Sequence, residues 1–338
     1  MASISLSKSE KSYIQTSLLS TPPLRGDGRS LLDYRTIALE TGIAPLANGS
    51  ARLNIGKPTH EGGGGTEVLG AVKLEVEDVE NGDGVDGGRI VCSVSCSPAA
   101  YPHLSSNALD DLSYDMTTLL NQTLSHPSLH PPNLCILPKK KSWCLNLDVI
   151  VLSDSGNVYD ALFMAARAAL WDTKVPITRA VEYQAKRGGK NPQENTDVDM
   201  DTETEQQSGF DTRHISRAVD FELPDYWDEG ETLAGQDLWP VCVTLNIMPP
   251  TYYLDATPQE EASTPLRLLL AMSFPKSASS RLQATRLLGP GEIELSQIKR
   301  LIQEGEKHGR ELYSALEAKL REEDVRRNQK ARDKFVLR

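Results

Sequence analysis

The stretch WCLNLDVIV, from Trp143 to Val151, is followed along the chain by DALFMAARAALW, from Asp160 to Trp171. Apolar and polar residues alternate through most of the first stretch, which is the pattern of a strand with one buried face. The second stretch is almost wholly small or apolar, so it predicts a helix that is buried on most of its circumference. A strand followed by a buried helix indicates a folded domain that contains both element types.

Similar patterns occur on both sides of this strand and helix. Two-residue alternation predicts further strands at 51–55, 72–76, 90–94 and 241–247. The polar residues 80–88 lie between the second and third of these strands, and they predict a hairpin with a flexible tip. Apolar residues at three- and four-residue spacing predict an amphipathic helix over 109–124. A final helix is expected from an N-cap at Ser296 to about Leu320. The fold class is therefore α+β, with two lobes that each contain a β-sheet packed with helices.

A strongly acidic run separates the two predicted lobes. Its six carboxylates lie within twelve residues and are Glu194, Asp197, Asp199, Asp201, Glu203 and Glu205. Such a run repels itself and buries nothing, so we expect an exposed, mobile loop. The predicted organisation is an N-terminal lobe over 1–185, an acidic insertion or linker over 186–212, a C-terminal lobe with the final helix over 213–325, and a charged tail over 326–338.

Composition excludes several classes of protein. The chain has 338 residues, a formal net charge of −11 and five cysteines without a Cys-x-x-Cys motif. These counts argue against a disulfide framework, a zinc ribbon and a self-sufficient nucleic-acid binder. No apolar stretch approaches the ~18 residues that a membrane span needs, and the polar start lacks a secretory signal, so we expect neither a membrane nor a secreted protein.

Three local motifs have an ordinary interpretation, and two of them have a functional one as well. The cluster Arg25-Gly-Asp27-Gly-Arg29 is typical of a turn with solvated arginines. At Asn48-Gly49-Ser50, an ordinary Asn-Gly turn competes with a phosphate site in which backbone N–H groups and Arg52 bind the anion. The lysines 139–141 are typical of a solubilising loop, although they would attract a phosphate backbone if they faced one.

A longer series of motifs resembles one family, and the motifs occur in that family's order. They are Leu32-Asp33-Tyr34-Arg35, Leu39-Glu40-Thr41-Gly42, Ala47 to Leu53, Ala71-Val72-Lys73, Asp148, Gly156-Asn157 with Asp160-Ala161, Ala168 to Leu170 with Thr173 and Pro176, and Leu254 to Thr257 with Glu260-Glu261. The series is similar to the RNase PH family, and more closely to the ring subunits of the RNA exosome on the branch of the archaeal non-catalytic ring partner. The resemblance covers roughly residues 5–320 without the acidic insertion, and it implies an RNase PH-like fold.

The resemblance also indicates which catalytic features are missing. Active members of the family cleave RNA from its 3′ end with inorganic phosphate, which they hold in a cradle of hydroxyls, an arginine and N–H groups at a helix start. The matching segment here begins Gly156-Asn157-Val158, so Val158 stands in the arginine's place. Asp160 adds a negative charge that would repel an anion, and we interpret it as a helix N-cap.

The family's two metal-linked aspartates correspond to Asp255 and Glu261. A carboxylate pair without the phosphate cradle cannot complete phosphorolysis, so we expect no catalytic residue, no metal site and no cofactor. A polar turn after a strand is the ordinary interpretation of Asp255.

RNA contact is a separate question. Arginines that line the RNA path in the archaeal partner correspond to Thr118 and Gln122 here, so that cationic contribution is expected to be lost. The candidates that remain are Arg52, Lys139, Lys140 and Lys141.

The resemblance implies a non-catalytic, structural subunit of an exosome ring. The implied partners are a second RNase PH-like subunit as direct heterodimer partner, OB-fold and KH cap subunits, an associated hydrolytic exoribonuclease, and RNA in the shared channel. The implied compartments are the nucleus, nucleolus and cytoplasm. Two alternatives stay open: an active phosphate-dependent 3′–5′ exoribonuclease that uses Asp255 and Glu261 with phosphate at Gly49-Ser50 and Arg52, and a free RNA-binding protein.

Overall fold

The computed structural model describes residues 6–56, 64–79, 86–181, 220–224, 230–276 and 279–336. The helices are α1 (Lys8–Leu19), α2 (Ser106–Leu124), α3 (Val158–Asp172), α4 (Pro258–Ser263) and α5 (Leu295–Val336). The longer strands are β1 (Ile37–Thr41), β2 (Gly49–Ile55), β3 (Thr66–Asp78), β4 (Arg89–Cys96), β6 (Lys141–Ser153), β11 (Val241–Met248), β13 (Leu266–Ser273) and β14 (Arg281–Leu288). The shorter strands are β5 (Cys135–Leu137), β7 (Lys174–Val175), β8 (Arg179–Val181), β9 (Asp220–Glu222), β10 (Glu231–Thr232) and β12 (Thr251–Tyr253). The α+β class is confirmed.

The larger sheet has the strand order β1-β2-β3-β6-β4, with β5 paired to β6. The predicted hairpin between β3 and β4 is wrong, because β6 lies between them, antiparallel to β3 and parallel to β4. The alternating strand around Trp143–Val151 therefore occupies an inner position and pairs on both sides. The alternation of polar and apolar residues predicted strands β3 and β4 correctly. Their placement in the sheet depends on β6, which is distant from both in sequence.

The smaller sheet has the order β12-β11-β13-β14. Every residue of β11 and β13 is buried, because α5 covers one face and α3 packs against β11 from the other side. The predicted strand at 241–247 is confirmed, but it is buried on both faces and not on one.

Helix α3 joins the two sheets into one core, and the predicted buried helix is confirmed. All of its residues except Trp171 are buried. Its contact with β2 is close: a Cβ added at Gly49 would lie 2.6 Å from the Ala169 carbonyl oxygen and 2.5 Å from Thr173 Oγ1. Only glycine fits this contact, which explains why Gly49 follows Asn48 at the start of the strand.

The C-terminal helix is longer than predicted. It begins at Leu295, so Ser296 lies inside its first turn and is not the N-cap. It continues to Val336, so the separate charged tail expected from residue 326 is wrong for 326–336. The reason is a tertiary contact: Trp171 Nε1 donates to Asp324 at 2.9 Å, and Arg327 pairs with Asp172. These bonds hold residues 324–327 of α5 against the C-terminal end of α3.

The predicted acidic insertion at 186–212, and the lobe boundaries beside it, lie outside the described residues. Among the helices within the described ranges, none has the length and apolar character to cross a membrane.

Helix α2 covers the outer edge of β4 with polar side chains. Three residues at a spacing of four along one face of α2, and the C-cap Ser125 one spacing further, bond to the backbone of the strand. The bonds run from Cys96 N–H to Ser113 Oγ (3.2 Å), from Val94 N–H to Thr117 Oγ1 (2.9 Å), from Cys92 N–H to Asn121 Oδ1 (3.1 Å) and from Ser125 Oγ to the Ile90 carbonyl (2.9 Å). The amphipathic helix predicted over 109–124 is confirmed, and its polar residues have a role that periodicity did not show.

Candidate functional site at the start of helix α3

Three segments meet at the N-terminus of α3: residues 25–35, the turn 154–157 and residues 254–261. The turn approaches the third segment so closely that a Cβ at Gly156 would lie 2.3 Å from the Ala256 carbonyl oxygen. Gly156 has φ 85° and Asn157 has φ 60°, which are left-handed conformations that glycine and asparagine tolerate best. The Gly156-Asn157 pair singled out in the sequence thus allows the two lobes to touch.

Asp255 is buried at the centre of the site and has five hydrogen-bond donors. Oδ2 accepts from Arg29 Nη1 (2.8 Å), Arg35 Nε (2.8 Å) and the Arg35 N–H (2.7 Å). Oδ1 accepts from Arg35 Nη2 (2.7 Å) and Asn157 Nδ2 (3.1 Å). Burial by itself raises the pKa of Asp255, but the bonds and charges of Arg35 and Arg29 outweigh it and hold the pKa below its ordinary value. The carboxylate is ionised and saturated by the protein's own groups.

Arg25 makes a second buried ion pair beside Asp255. Its Nε and Nη2 donate to the two carboxylate oxygens of Glu260 at 2.9 and 2.7 Å, and its side chain is fully buried. Nη2 also donates to the Asp255 carbonyl at 2.7 Å. The expectation of solvated arginines in Arg25-Gly-Asp27-Gly-Arg29 is therefore wrong. The turn exists, but Arg25, Arg29 and Arg35 connect the start of the chain to the C-terminal lobe.

Glu261 occupies the N-terminus of α3. Its Oε1 accepts the Asn157 N–H at 2.8 Å, and its Oε2 pairs with Arg267 Nη1 at 2.8 Å. Burial raises the pKa of Glu261, and the nearby Asp154 adds to that effect while Arg267 opposes it. A helix start and a guanidinium are the two ingredients of an anion site. Here the anion is the protein's own carboxylate.

A small cavity of about 70 Å³ lies next to Glu261. Its lining includes Val158, Asp154 and Arg267. Val158, at the position where the resemblance implies an arginine in active members, contributes only an apolar surface to it.

Asp160 is not the N-cap of α3, contrary to the sequence-based interpretation. The N-cap is Asn157, and Asp160 lies in the first turn, fully buried. Its carboxylate accepts from Thr244 Oγ1 at 2.7 Å and from the Tyr34 hydroxyl at 3.1 Å. Burial raises the pKa of Asp160 to about 6, against the opposing hydrogen bonds. It faces β11 and residue 34 and does not line the cavity, so its negative charge acts inside the core.

The residues do not fit a magnesium site. A cation at Asp255 would have to displace Arg29 and Arg35, and among the described residues no group of three or more His, Cys, Asp or Glu side chains is placed to hold a metal.

The alternative phosphate site at Gly49-Ser50 is wrong. The Ser50 N–H donates to Asp172 at 2.9 Å, and Ser50 is buried at the other end of α3. No anion reaches backbone groups that are already bonded inside the core.

The structure does not bring the RNA-contact candidates together. Arg52 lies on the open face of the larger sheet and pairs with Glu67. Lys139 and Lys140 lie in the turn between β5 and β6, and Lys141 opens β6, where its ammonium pairs with Asp220 at 3.2 Å. Since β6 has 13 residues, this turn is about 40 Å from the site at its other end. Their contact with RNA stays a prediction.

Sequence reasoning missed Arg267 and misjudged Arg25 and Arg29. A signal for Arg267 exists: it is the single charged residue in the apolar strand Leu266–Ser273. A charge in a fully buried strand needs a buried partner, and Glu261 is that partner.

Comparisons with known proteins agree with this architecture. Residues 33–176 match the model of the 3′ exoribonuclease family, domain 1, named RNase PH. The exosome complex exonuclease RRP42 of Dictyostelium discoideum is 26% identical, with 79% of this chain and 84% of that protein covered. The exosome complex component Rrp42 of Sulfurisphaera tokodaii is 34% identical, with 52% of this chain covered and 60% of that protein. The match thus spans about three fifths of the archaeal relative's length.

Two solved structures share the fold. One is an Archaeoglobus fulgidus exosome with RNA bound to its active site, with a TM-score of 0.62, 21% identity, and 90% of this chain and 97% of that chain covered. The other is an archaeal exosome core, with a TM-score of 0.59, 20% identity, and 91% and 96% covered. At these identities the likeness shows the fold alone. Residues 33–176 of this chain are similar to an RNase PH domain, and the chain has the RNase PH-like fold.

Proposed function

We propose that this chain is a non-catalytic ring subunit of an RNA exosome, which supports 3′–5′ processing and degradation of RNA by holding partners and lining the channel. Relatives named as exosome components and the fold shared with archaeal exosome cores support the assignment to such a complex. Its work would be to bind neighbouring subunits and to pass 3′ ends to a site on another chain.

The observation that carries the non-catalytic role is the saturation of both candidate carboxylates. Asp255 accepts five hydrogen bonds from the protein, and Glu261 occupies the helix start and Arg267 that an attacking phosphate would need. Phosphorolysis requires free donors aimed at the anion and a free group to handle a metal or a proton. Reopening the site would separate Arg35 from Asp255 and Arg267 from Glu261.

The proposed partners follow from the family resemblance. They are a second RNase PH-like subunit as direct neighbour, three such pairs in a six-membered ring, cap subunits with OB-fold and KH domains, and a hydrolytic exoribonuclease that cuts the RNA. The compartments would be the nucleus, nucleolus and cytoplasm. Arg52, Lys139, Lys140 and Lys141 are the candidates for salt-sensitive contact with RNA.

A phosphorolysis assay tests this function. The purified chain, alone and with its paired subunit, is incubated with single-stranded RNA, magnesium and phosphate, and release of nucleoside diphosphates is measured. We expect no release by the chain alone. With the pair, we expect the same rate for the wild type and for Glu261→Gln, which keeps the shape of the side chain. Phosphate titration by calorimetry is expected to show no binding to the chain.

Diphosphate release by the chain alone, or a rate in the pair that Glu261→Gln abolishes, would establish the active exoribonuclease instead. Stoichiometric co-elution with ring subunits is the companion test. A chain that binds RNA but elutes apart from every ring subunit would be a free RNA-binding protein.

A further inference from the structure

A groove of about 750 Å³ lies between three segments that are distant in sequence. Residues 23–32 form one wall, the end of β11 with the turn into β12 forms the second, and the first turns of α5 form the third. Pockets of about 300–1,000 Å³ are typical of ligand sites in proteins. Of the described residues that line this groove, none is an arginine or a carboxylate of the site at the start of α3.

The walls of the groove are mainly apolar. Pro249, Pro250 and Leu301 line it together with Leu32, which is 45% exposed. A proline carries no backbone N–H, so an apolar group that covers these walls leaves few donors unsatisfied. Exposed apolar surface of this kind is typical of a site that another molecule covers.

Hydrogen bonds outside the groove hold its walls in place. The Leu31 carbonyl accepts the Leu254 N–H at 2.8 Å, which fixes the N-terminal wall to the C-terminal part of the chain. The Tyr252 hydroxyl donates to Glu304 at 3.1 Å and bonds to His308 at 3.3 Å, which fixes the ring between β12 and α5. A preformed groove loses little conformational entropy when it binds a ligand.

Arg300 is the single charged residue among those that line the groove. It is exposed, and within the described part of the chain its guanidinium makes no hydrogen bond and no ion pair. The guanidiniums of Arg25 and Arg267, in contrast, are paired with carboxylates. Burial and Glu304 raise the pKa of Tyr252 to about 12, and the charge of Arg300 opposes them, so the guanidinium lies near that ring. A free guanidinium beside apolar surface favours a ligand with an apolar body and a carboxylate.

An extended segment of another protein suits this groove better than a nucleic acid. RNA would need several cations along its path, because neutralisation of its phosphates drives binding, and the groove has one. Leu24 follows Pro23 and is 60% exposed, and Leu295 precedes Gln297 by two positions and is 83% exposed. Apolar surface therefore extends beyond the groove along two of its walls. A peptide that lies along the groove can cover these leucines, which a small molecule confined to the groove would not reach.

We infer that this groove binds an extended peptide segment of another protein, with apolar side chains against the walls and a carboxylate at Arg300. Gln297, three residues before Arg300 on α5, also lines the groove and offers its amide to the backbone of that segment. The inference concerns a binding partner only, so the phosphorolysis assay and the co-elution test do not decide it.

A peptide array tests this inference. The labelled full-length chain is applied to immobilised hexapeptides in which five positions vary among leucine, valine, phenylalanine and proline, and one position carries either aspartate or asparagine. Dissociation constants of the bound pairs are then measured by fluorescence polarisation. We expect the wild type to bind the aspartate peptides at least about tenfold more tightly than their asparagine counterparts, because hydrogen bonds to charged groups are the stronger ones.

Three variants separate the contributions of charge and apolar surface. Arg300→Gln is expected to remove the preference for aspartate. Arg281→Gln is the matched control and is expected to keep it, because Arg281 is also exposed and without an ion pair among the described residues, but lies on β14. Leu32→Ser is expected to weaken the binding of every peptide at least about fivefold and to keep the preference for aspartate.

Each other outcome overturns the inference. Equal binding of the aspartate and asparagine peptides by the wild type, or no binding of any peptide, would mean that the groove does not recognise such a segment. A preference that Arg300→Gln retains would place the carboxylate elsewhere. An affinity for single-stranded RNA that falls at least about tenfold in Arg300→Gln, without peptide binding, would assign the groove to RNA. Circular dichroism of each variant shows whether a lost affinity comes from unfolding.

Discussion

The arginine–carboxylate site at the start of α3 and the outer edge of β14 satisfy their polar groups in opposite ways. In the site, Asp255, Glu260 and Glu261 are buried or nearly so, and each has a guanidinium partner. At β14, backbone groups on one side have no protein partner among the described residues. A charge inside a protein must be paired because water is absent. The backbone N–H and C=O groups of an exposed edge strand can instead bond to water or to a strand of another chain. The first region therefore stabilises contacts within the chain, and the second offers backbone groups that another chain could bind.

The largest expected effect is at the buried pair Arg25–Glu260. Arg25→Met keeps much of the side-chain volume but leaves Glu260 buried without its cation. We expect the free energy of unfolding to fall by about 3–5 kcal/mol, measured by urea denaturation. Arg321→Met is the control, because Arg321 pairs with Glu317 at the surface of α5, and its effect is expected to be below about 1 kcal/mol. If both variants lost the same free energy of unfolding, the buried pair Arg25–Glu260 would be no more important for stability than a surface ion pair.

Asp160 offers a pH-dependent test of the same region. Its folded pKa of about 6 lies above the ordinary value, so the folded state binds the proton more tightly than the unfolded state. The free energy of unfolding contributed by this group therefore falls as pH rises from about 4 to 6, by on the order of 3 kcal/mol. We expect Asp160→Asn to match the wild type near pH 4 and to be more stable above pH 6.5.

The measurement is urea denaturation of both proteins across that pH range. Asp110→Asn, at an exposed carboxylate on α2, serves as the control and is expected to show a constant difference. A difference between Asp160→Asn and the wild type that does not change with pH would contradict a buried, proton-binding carboxylate.

The covered edge of β4 provides the direct counterpart to β14. Thr117→Val leaves the Val94 N–H without its acceptor beneath α2. We expect a loss of about 1–3 kcal/mol in the free energy of unfolding. Thr118→Val makes the same chemical change one residue further, where the hydroxyl donates only to the Tyr114 carbonyl of its own helix. If both variants lose the same free energy of unfolding, the hydrogen bonds from α2 side chains to the backbone of β4 do not stabilise this edge.

The smallest expected effect is at the bare edge itself. Leu287→Lys changes an exposed leucine, so the free energy of unfolding of the isolated chain is expected to change by less than about 0.5 kcal/mol. Thermal denaturation of the isolated chain measures it. If the free energy of unfolding fell by several kcal/mol, Leu287 would be packed within the chain. The outer edge of β14 would then not differ from the buried site in the way described above.

The elements were largely predictable from local pattern, and their pairing was not. Helix α3 and strand β6 follow from side-chain periodicity, which depends only on whether each position faces the core. The insertion of β6 between β3 and β4 depends on residues some fifty positions apart. The alternation of apolar and polar residues in a strand does not indicate which strand pairs with it. The expected hairpin failed for this reason.

Sequence reasoning named most of the residues of the site, but it assigned incorrect roles to several of them. Asp255, Glu261 and Asn157 were singled out through the family resemblance, and Arg25 and Arg29 through their turn. Their partners are more than 200 residues apart in several cases, so composition alone described Arg25 as solvated and Asp160 as a cap.

Residue types and periodicity by themselves determined the α+β class and the buried helix, because these are properties of short segments. The family resemblance added that Val158 stands where active members have an arginine. Only the tertiary structure decided that Glu261 lies where an anion would bind and that arginines saturate Asp255. It also decided that α2 covers the edge of β4, whereas the outer edge of β14 has no such cover among the described residues. The physical reason is that burial makes every charge and backbone group depend on its nearest partner, and that partner is chosen by how the chain folds back on itself.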